Sequence, residues 1–288
     1  MLIVTGATGQ LGRRIVEHLL SLVPAGRIGV SVRDPERARD LSALGVRVRR
    51  GDYTDLPSLL TAFDGAERIL LVSSNAAATG GDPLAQHSVA IAAAKQVGAE
   101  RLLYTSQVSA SEASQFPPGR DHAATERMLE GSGLAWTALR HGFYAASALM
   151  MNARGFADGL LAVPQDGKVA WTTHDDLATA DAAMLAGVEE VDGPTPPLAA
   201  GQALDLAGLA ALASGALGKP VTRDVVDDEA WMAGARAGGM PERAVEIMMG
   251  YFLAARAGEF AATDPMLERL IGRPAASVRT FLQENLQG

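Results

Sequence analysis

Near its start the chain carries three glycines at a fixed spacing, in Thr5-Gly6-Ala7-Thr8-Gly9-Gln10-Leu11-Gly12. They lie between an apolar run, Leu2 to Thr5, and an amphipathic stretch, Leu11 to Leu22. A phosphate held at a helix N-terminus needs backbone N–H donors, and the backbone comes close only where Cβ atoms are missing. Gly6 would permit the turn, Gly9 the close approach and Gly12 the packing of helix on strand, with Thr8, Gln10 and Leu11 completing the contact. The same glycines could serve a purely structural turn. Their place between strand and helix implies a bound dinucleotide.

The second apolar run decides which dinucleotide. A carboxylate at its end would accept from a ribose 2'-hydroxyl, and an arginine would pair with a 2'-phosphate. The run ends Ser31-Val32-Arg33, with Arg37 and Arg39 one turn on. This favours NADP(H). Two other readings remain: Asp34 could reach the ribose, and Arg33 to Arg39 could be a solvated helix face.

These residues require a parallel sheet to position them. Strands are expected at Leu2 to Thr5, Arg27 to Val32, Val46 to Arg50, Arg68 to Val72, Arg101 to Tyr104 and Ala135 to Leu139. Helices are expected near Leu11 to Leu22, Pro35 to Leu44, Leu56 to Phe63, Pro83 to Val97 and Asp121 to Glu130. The alternation predicts an α/β, Rossmann-like doubly wound parallel sheet. Residues 1–142, with contributions from 168–190, form the expected dinucleotide domain, and 143–288 a smaller, mostly helical substrate lobe. Short strands are expected there at Lys168 to Trp171 and Val221 to Val226, and loops at Gly80 to Pro83 and Gln115 to Gly119.

Composition excludes several classes. The 288 residues are 48% hydrophobic and carry a net charge of -8, which argues against a nucleic-acid surface. There is no cysteine, so disulfides, thiolate metal sites and a cysteine nucleophile are excluded. The most apolar long segment, Pro196 to Gly218, contains Gln202, Asp205 and several glycines, too broken to span a bilayer. A soluble, cytoplasmic protein is expected. His87 and His174 share no ligand spacing with Asp or Glu, so no metal is expected, and His18 falls mid-helix as a structural or exposed residue.

Gly6 to Gly12, Arg33-Asp34-Pro35, Gly51-Asp52-Tyr53, Tyr104-Thr105-Ser106 and Asp121-His122 followed by Thr125-Glu126 occur in that order. With these motifs the chain resembles the NmrA-like atypical short-chain reductases, and among them the type 2 NAD(P)H:quinone oxidoreductases, with the triphenylmethane reductases nearby. The resemblance runs from Met1 to about Leu185 and more loosely to Gly272-Arg273-Pro274. It implies that Asp52 and Tyr53 border the adenine, that Ser73, Ser74 and Asn75 line the cofactor, and that Thr105, Ser106 and Gln107 lie beneath the nicotinamide. It also implies that His141, Gly142, Phe143 and Tyr144 flank the nicotinamide and the substrate pocket, with Trp171 to Asp176 closing over them. The chain departs from the family pattern at His141, where asparagine is usual, and at Asn75 and His174.

Short-chain reductases commonly protonate an alkoxide with a tyrosine that has a lysine four residues later. Here Tyr53, Tyr104, Tyr144 and Tyr251 are followed at that spacing by Pro57, Val108, Ala148 and Ala255. Ordinary ketone reduction is therefore disfavoured. A quinone tolerates the loss, because its reduction leaves a phenolate-like oxygen, with a phenol pKa near ~10. If a protein proton donor exists, Tyr144 and His122 are the candidates. Equally, His122 could be a helix-start residue bonded to nearby backbone, and Tyr144 could be core packing. The Met240 to Met249 stretch, with Tyr251 and Phe252, reads as core or pocket wall.

The leading expectation is an NADPH-dependent reductase of quinones or similar electron-poor acceptors. The alternatives are a non-catalytic NADP(H) sensor acting on a partner protein and a biosynthetic reductase of a specialised metabolite. Small apolar residues around Ala145 to Met151 suit a homodimer face or a pocket wall.

Overall fold

The computed structural model describes residues 1–286, so the last two residues of the expected second lobe lie outside the described residues. The first half alternates as expected: β1 (Leu2–Thr5), α1 (Gln10–Leu22), β2 (Ile28–Val32), α2 (Arg39–Ala43), β3 (Arg47–Arg50), α3 (Leu56–Phe63), β4 (Arg68–Leu71), α4 (Pro83–Gln96), β5 (Arg101–Gln107), α5 (Pro117–Glu130) and β6 (Ala135–His141). Then follow β7 (Phe143–Tyr144), α6 (Ala145–Asp158), β8 (Leu160–Val163), β9 (Trp171–Thr172), α7 (His174–Ala186), β10 (Gly193–Pro194), α8 (Leu206–Leu217), β11 (Thr222–Val225), α9 (Asp228–Ala237), α10 (Glu242–Arg256), α11 (Met266–Ile271) and α12 (Val278–Leu286).

Seven parallel strands form the main sheet in the order β10-β6-β5-β4-β1-β2-β3. Every residue of β1 and β2 is buried, as central strands covered on both faces require. On one face α1 presents Leu11, Ile15, Val16 and Leu19 at helical spacing and packs against α7. On the other, Leu59 and Phe63 of α3 and Ile91 of α4 pack against Ile3, Ile69 and Leu102. A separate core forms in the second half of the chain, where Phe156, Trp171, Leu209, Tyr251, Phe252 and Phe260 are buried together.

Several boundaries differ from expectation for local reasons. Helix α5 starts at Pro117, inside the expected loop Gln115 to Gly119, because a proline needs no N–H partner in a first turn. His122 therefore sits in the second turn and is not a helix-start residue. The stretch Pro35 to Leu44 divides into a 3-10 turn, Pro35–Ala38, and the short α2. Residue Arg27 closes a 3-10 turn before β2, and Val72 lies beyond β4. Strands β5 and β6 run three and two residues past their expected ends, paired from Arg101↔Ala135 to Gln107↔His141. Of the expected strand at Lys168 to Trp171 only Trp171 is in a strand, while Val169 bridges Leu204. The expected strand at Val221 to Val226 is β11, paired with β8.

Chain from the second half returns to the first. Strand β10 adds to the sheet edge beside β6, and α7, covering α1, is itself covered by α11. Arg273, just after α11, reaches the buried Asp176 of α7, Nη1 to Oδ1 2.6 Å. That contact ties the Gly272-Arg273-Pro274 segment to α7.

Candidate active site

Strand order reverses direction beside β1, which pairs with β2 on one side and β4 on the other. The loops leaving β1 and β4 part there, and sheets of this kind bind ligands in the resulting crevice. A cavity of about 780 Å³ occupies it. One stretch of its wall is Arg33, Arg37, Gly51, Asp52 and Tyr53, and Gly6 and Thr8 to Gly12 form another. Ser73, Ser74, Asn75, Gly80, Gly81 and Gln86 continue it, and Tyr144 and His174 complete it.

The glycine turn is built for close approach. Gly6 has φ +63°, a conformation side-chain-bearing residues rarely adopt. A Cβ on Gly12 would lie 2.5 Å from the Gly6 carbonyl oxygen. Gly9 offers α1 no capping side chain, and no acidic residue stands in the first turn. The first-turn amides are therefore left for an anion, which the helix dipole also favours. These features fit a dinucleotide pyrophosphate.

At the Arg33 end the side chains are sorted by what already holds them. The Asp34 carboxylate accepts from the Glu36 amide at 3.1 Å and caps the 3-10 turn, and Asp34 is not on the cavity wall. Arg39 is paired with Glu36, Arg49 with Asp64 and Arg50 with Asp55. Arg33 and Arg37 make no ion pair among the described residues and line the cavity. Asp52 accepts from the Thr54 amide and hydroxyl; these bonds, with Arg33 and Arg50, hold its carboxyl below the usual range. The Tyr53 hydroxyl lies 2.5 Å from Thr5 Oγ1 and 2.8 Å from the Val72 carbonyl, so the ring is pinned into the wall. Burial pushes its pKa up.

The wall after β4 is held from behind. The Ser73 amide donates to Thr105 Oγ1 at 2.8 Å, and the Ser74 amide to His87 Nε2 at 2.8 Å. Because His87 Nε2 accepts, a neutral His87 carries its proton on Nδ1, which lies 2.9 Å from Thr125 Oγ1. Desolvation lowers the His87 pKa to about 4, so this tautomer persists at neutral pH.

Seven of the residues expected at the site stand behind the wall instead of on it. Thr105 supports Ser73. Its neighbour Ser106 points to the opposite face of the sheet, donating to Glu126 Oε1 at 2.6 Å, and Glu126 pairs with Arg140. Gln107 bonds Ser109. His141 Nε2 lies 2.8 Å from Asp181 Oδ1, both side chains fully buried. Gly142 donates to the Leu198 carbonyl at 2.8 Å. Phe143 packs among Phe116, Trp171, Tyr251 and Phe260 in the second core. His122 Nδ1 lies 2.7 Å from the Tyr104 hydroxyl, and desolvation lowers its pKa to about 3. For Ser106 the cause is strand alternation: in a ladder that extends to Gln107 and His141, its side chain must face away from that of Thr105.

Tyr144 is on the wall, and its neighbour there is His174. Strands β7 and β9 pair in parallel, Phe143↔Trp171 and Tyr144↔Thr172, which brings the two rings to 4.3 Å between centroids at 33°. Burial raises the Tyr144 pKa. Desolvation, with help from His141 and Arg14, lowers that of His174 to about 4. Sequence reasoning missed Gln86, Gly80 and Gly81 as wall residues; Arg37 was read with Arg33 as favouring NADP(H), and His174 only as part of the segment expected to close over the pocket. Met249, Tyr251 and Phe252 are core, and not cavity wall. Among the described residues no group of three His, Asp or Glu side chains could hold a metal ion, and no helix is long and apolar enough to cross a membrane.

Comparison with known proteins agrees with this geometry. Residues 6–152 match the family of NAD(P)H-binding domains. The chain is 33% identical over 279 residues to quinone oxidoreductase 2 of Escherichia coli K12, covering 96% of each chain. The crystal structure of an E. coli NADPH-dependent quinone oxidoreductase complexed with NADPH superposes with a TM-score of 0.92 at 32% identity, over 99% of this chain and 100% of the other. Triphenylmethane reductase of Citrobacter sp., complexed with NADP(H), gives 0.85 at 30% identity over 99% of each. The chain therefore belongs to the NAD(P)H-binding family, on its NmrA-like branch, and is an NAD(P)H-dependent oxidoreductase.

Proposed function

We propose that this enzyme is an NADPH-dependent reductase of quinones or similarly electron-poor, planar acceptors. The observation that carries the reading is the course of the cavity. Two arginines without an ion pair among the described residues stand at one part of it, the open amides of α1 at its middle, and the tilted Tyr144–His174 ring pair at the other. Arg33 and Arg37 would hold a ribose 2'-phosphate by charge-assisted bonds. Gly6, Thr8, Gly9, Gln10, Leu11 and Gly12 would hold the pyrophosphate, with Asp52 and Tyr53 beside the adenine and Ser73, Ser74 and Asn75 along the rest. Bound there, the cofactor supplies two electrons and a hydrogen to the acceptor.

What the protein lacks narrows the acceptor. No tyrosine has a lysine four residues on, and burial raises Tyr144 instead of lowering it. A group so raised is a poor acid for an alkoxide. A quinone-derived oxygen, as a phenolate, can leave the site unprotonated and take its proton from water. The likeness to quinone oxidoreductase 2 and to triphenylmethane reductase supports this class of flat, conjugated acceptor. The test is oxidation of NADPH by purified protein on addition of a benzoquinone or a naphthoquinone. The expected result is acceptor-dependent loss of NADPH absorbance, and none across a quinone panel would refute the proposal.

A further inference from the structure

We infer that the Tyr144–His174 pair is the acceptor seat, and that the His174 imidazole donates the hydrogen bond holding the acceptor's reducible oxygen. The inference rests on the quinone-reductase reading and adds a residue to it.

Three observations converge on His174. Its ring lines the cavity and lies 4.3 Å from that of Tyr144 at a 33° tilt, so that the two rings form an aromatic wall beyond the glycine turn. Neither imidazole nitrogen has a protein partner among the described residues, nor does the Tyr144 hydroxyl. The other histidines are all engaged: His87 with Ser74 and Thr125, His122 with Tyr104, His141 with Asp181, and His18 with Asp175. Polar groups in folded proteins are normally satisfied, and a donor left open on a cavity wall is available to a ligand. The ring is also rigidly carried. It is the first residue of α7, whose N-cap Thr173 accepts from the Asp176 amide at 3.2 Å, directly after β9.

The electrostatics suit an oxygen that gains negative charge. Desolvation keeps His174 neutral down to about pH 4, so it offers one N–H and one lone pair at neutral pH. Arg14 is close enough to add to that depression, so positive potential reaches the ring. Asp175, the nearest carboxylate in sequence, is turned to His18, Arg14 and Arg273. Transfer of two electrons and one hydrogen to a quinone leaves one ring oxygen as a phenolate. His174 would stabilise that oxygen by hydrogen bonding and give up no proton; water then supplies the single proton that completes the hydroquinone. The acceptor class is a planar conjugated ring bearing a carbonyl-type oxygen, stacked on Tyr144–His174.

The test separates stacking from hydrogen bonding. With a naphthoquinone as acceptor, His174→Phe keeps the ring and removes the donor. It should lower kcat about 10- to 100-fold, the effect of losing one hydrogen bond to a charged oxygen, with KM for the quinone nearly unchanged. His174→Ala removes both and should also raise KM. His174→Gln, which restores an N–H, should recover part of kcat. Fluorescence titration should show NADPH dissociation constants within about threefold of wild type in all three, since the predicted contact is with the acceptor. If wild type turns over and the folded variants match it in kcat and KM, the inference fails alone. Cofactor affinity falling in step with activity would also overturn it, by placing His174 on the dinucleotide. A wild type inactive with every quinone overturns this inference together with the reading beneath it. Should the phenylalanine variant not fold, the alanine and glutamine pair decides.

Discussion

Arg33 and Arg37 illustrate why a residue's partners matter more than its type. The stretch around β2 and β3 is rich in arginine, yet Arg39, Arg49 and Arg50 are spent on carboxylates, and only Arg33 and Arg37 turn to the cavity. A 2'-phosphate is the one feature distinguishing NADPH from NADH, so the double substitution Arg33→Ala with Arg37→Ala should act selectively. Loss of charge-assisted bonds worth roughly 1.5–3 kcal/mol predicts a rise of about 10- to 100-fold in the NADPH dissociation constant. The NADH constant should move less than about threefold. Equal weakening of both would mean that the arginines serve the fold or the pyrophosphate. The glycine turn and Arg33 were legible in the sequence because their chemistry is local: backbone amides at a strand-to-helix turn, and the residue ending the next strand. Gln86 was not, because the docking of α4 brings it to the wall, and His174 was legible only as part of the segment expected to close over the pocket, since its stacking partner is set by the tertiary pairing of β9 with β7. The orientation of Ser106 was hidden for a related reason. A strand thought to end at Tyr104 leaves Thr105 to Gln107 free to reach a ligand, whereas three more ladder residues oblige Ser106 to face away.

At the scale of elements, the pairing of β7 with β9 builds the far end of the site, and it depends on Gly142. A Cβ there would lie 3.0 Å from the Ala170 carbonyl oxygen, 2.9 Å from the Ala199 side chain, and closer still to Thr172 Oγ1. These are backbone and short side chains with little room to yield. Gly142→Ala should therefore force β7 from β9 and destabilise the protein by about 1–3 kcal/mol, the usual cost of overpacking. It should also separate Tyr144 from His174, so quinone turnover should drop more than NADPH affinity. A urea midpoint identical to wild type would show that the chain relaxes around the added methyl. Strands β7, β8 and β10 could not be read from the sequence: β7 and β10 have only two residues each, too few for any periodicity to stand out. The first six strands of the sheet and the crossover helices of the first half were readable, because apolar runs alternate there with amphipathic ones. Pro117-Pro118 shows the opposite failure: a proline pair read as loop punctuation was the start of a helix, where proline's fixed φ is an advantage.

Across the whole molecule, burial of imidazoles ties stability to pH. His87, His122 and His174 have folded-state pKa values lowered to about 4, 3 and 4, in each case first by desolvation. Unfolded, each would titrate near ~6.5. Between these values the unfolded chain binds more protons than the folded one, so stability is complete above about pH 6.5 and is lost progressively as pH falls toward 4. Each histidine can contribute up to about 1.4 kcal/mol per pH unit in that window. His87, the most deeply buried of the three, should approach this limit, and the part-exposed His122 and His174 should fall short of it. Carboxylates held low by partners, such as Asp55 and Glu67, add their losses only at lower pH. Asp121 and Asp166, raised by desolvation, act in the opposite direction at the acid end. His87 is surrounded by Asp82 on its own helix, by Tyr104 on β5 and by Thr125 and His122 on α5, none of which provides a carboxylate hydrogen bond to stabilise an imidazolium. Replacing it with glutamine retains an acceptor for the Ser74 amide and a donor for Thr125 while removing the titration. His87→Gln should thus lose stability relative to wild type at pH 8 but show a shallower decline in unfolding midpoint from pH 7 to pH 5, so that the two curves converge. Parallel curves over that range would mean that protonation of His87 does not govern the acid limb, and that His122, His174 or the loop joining β4 to α4 opens first.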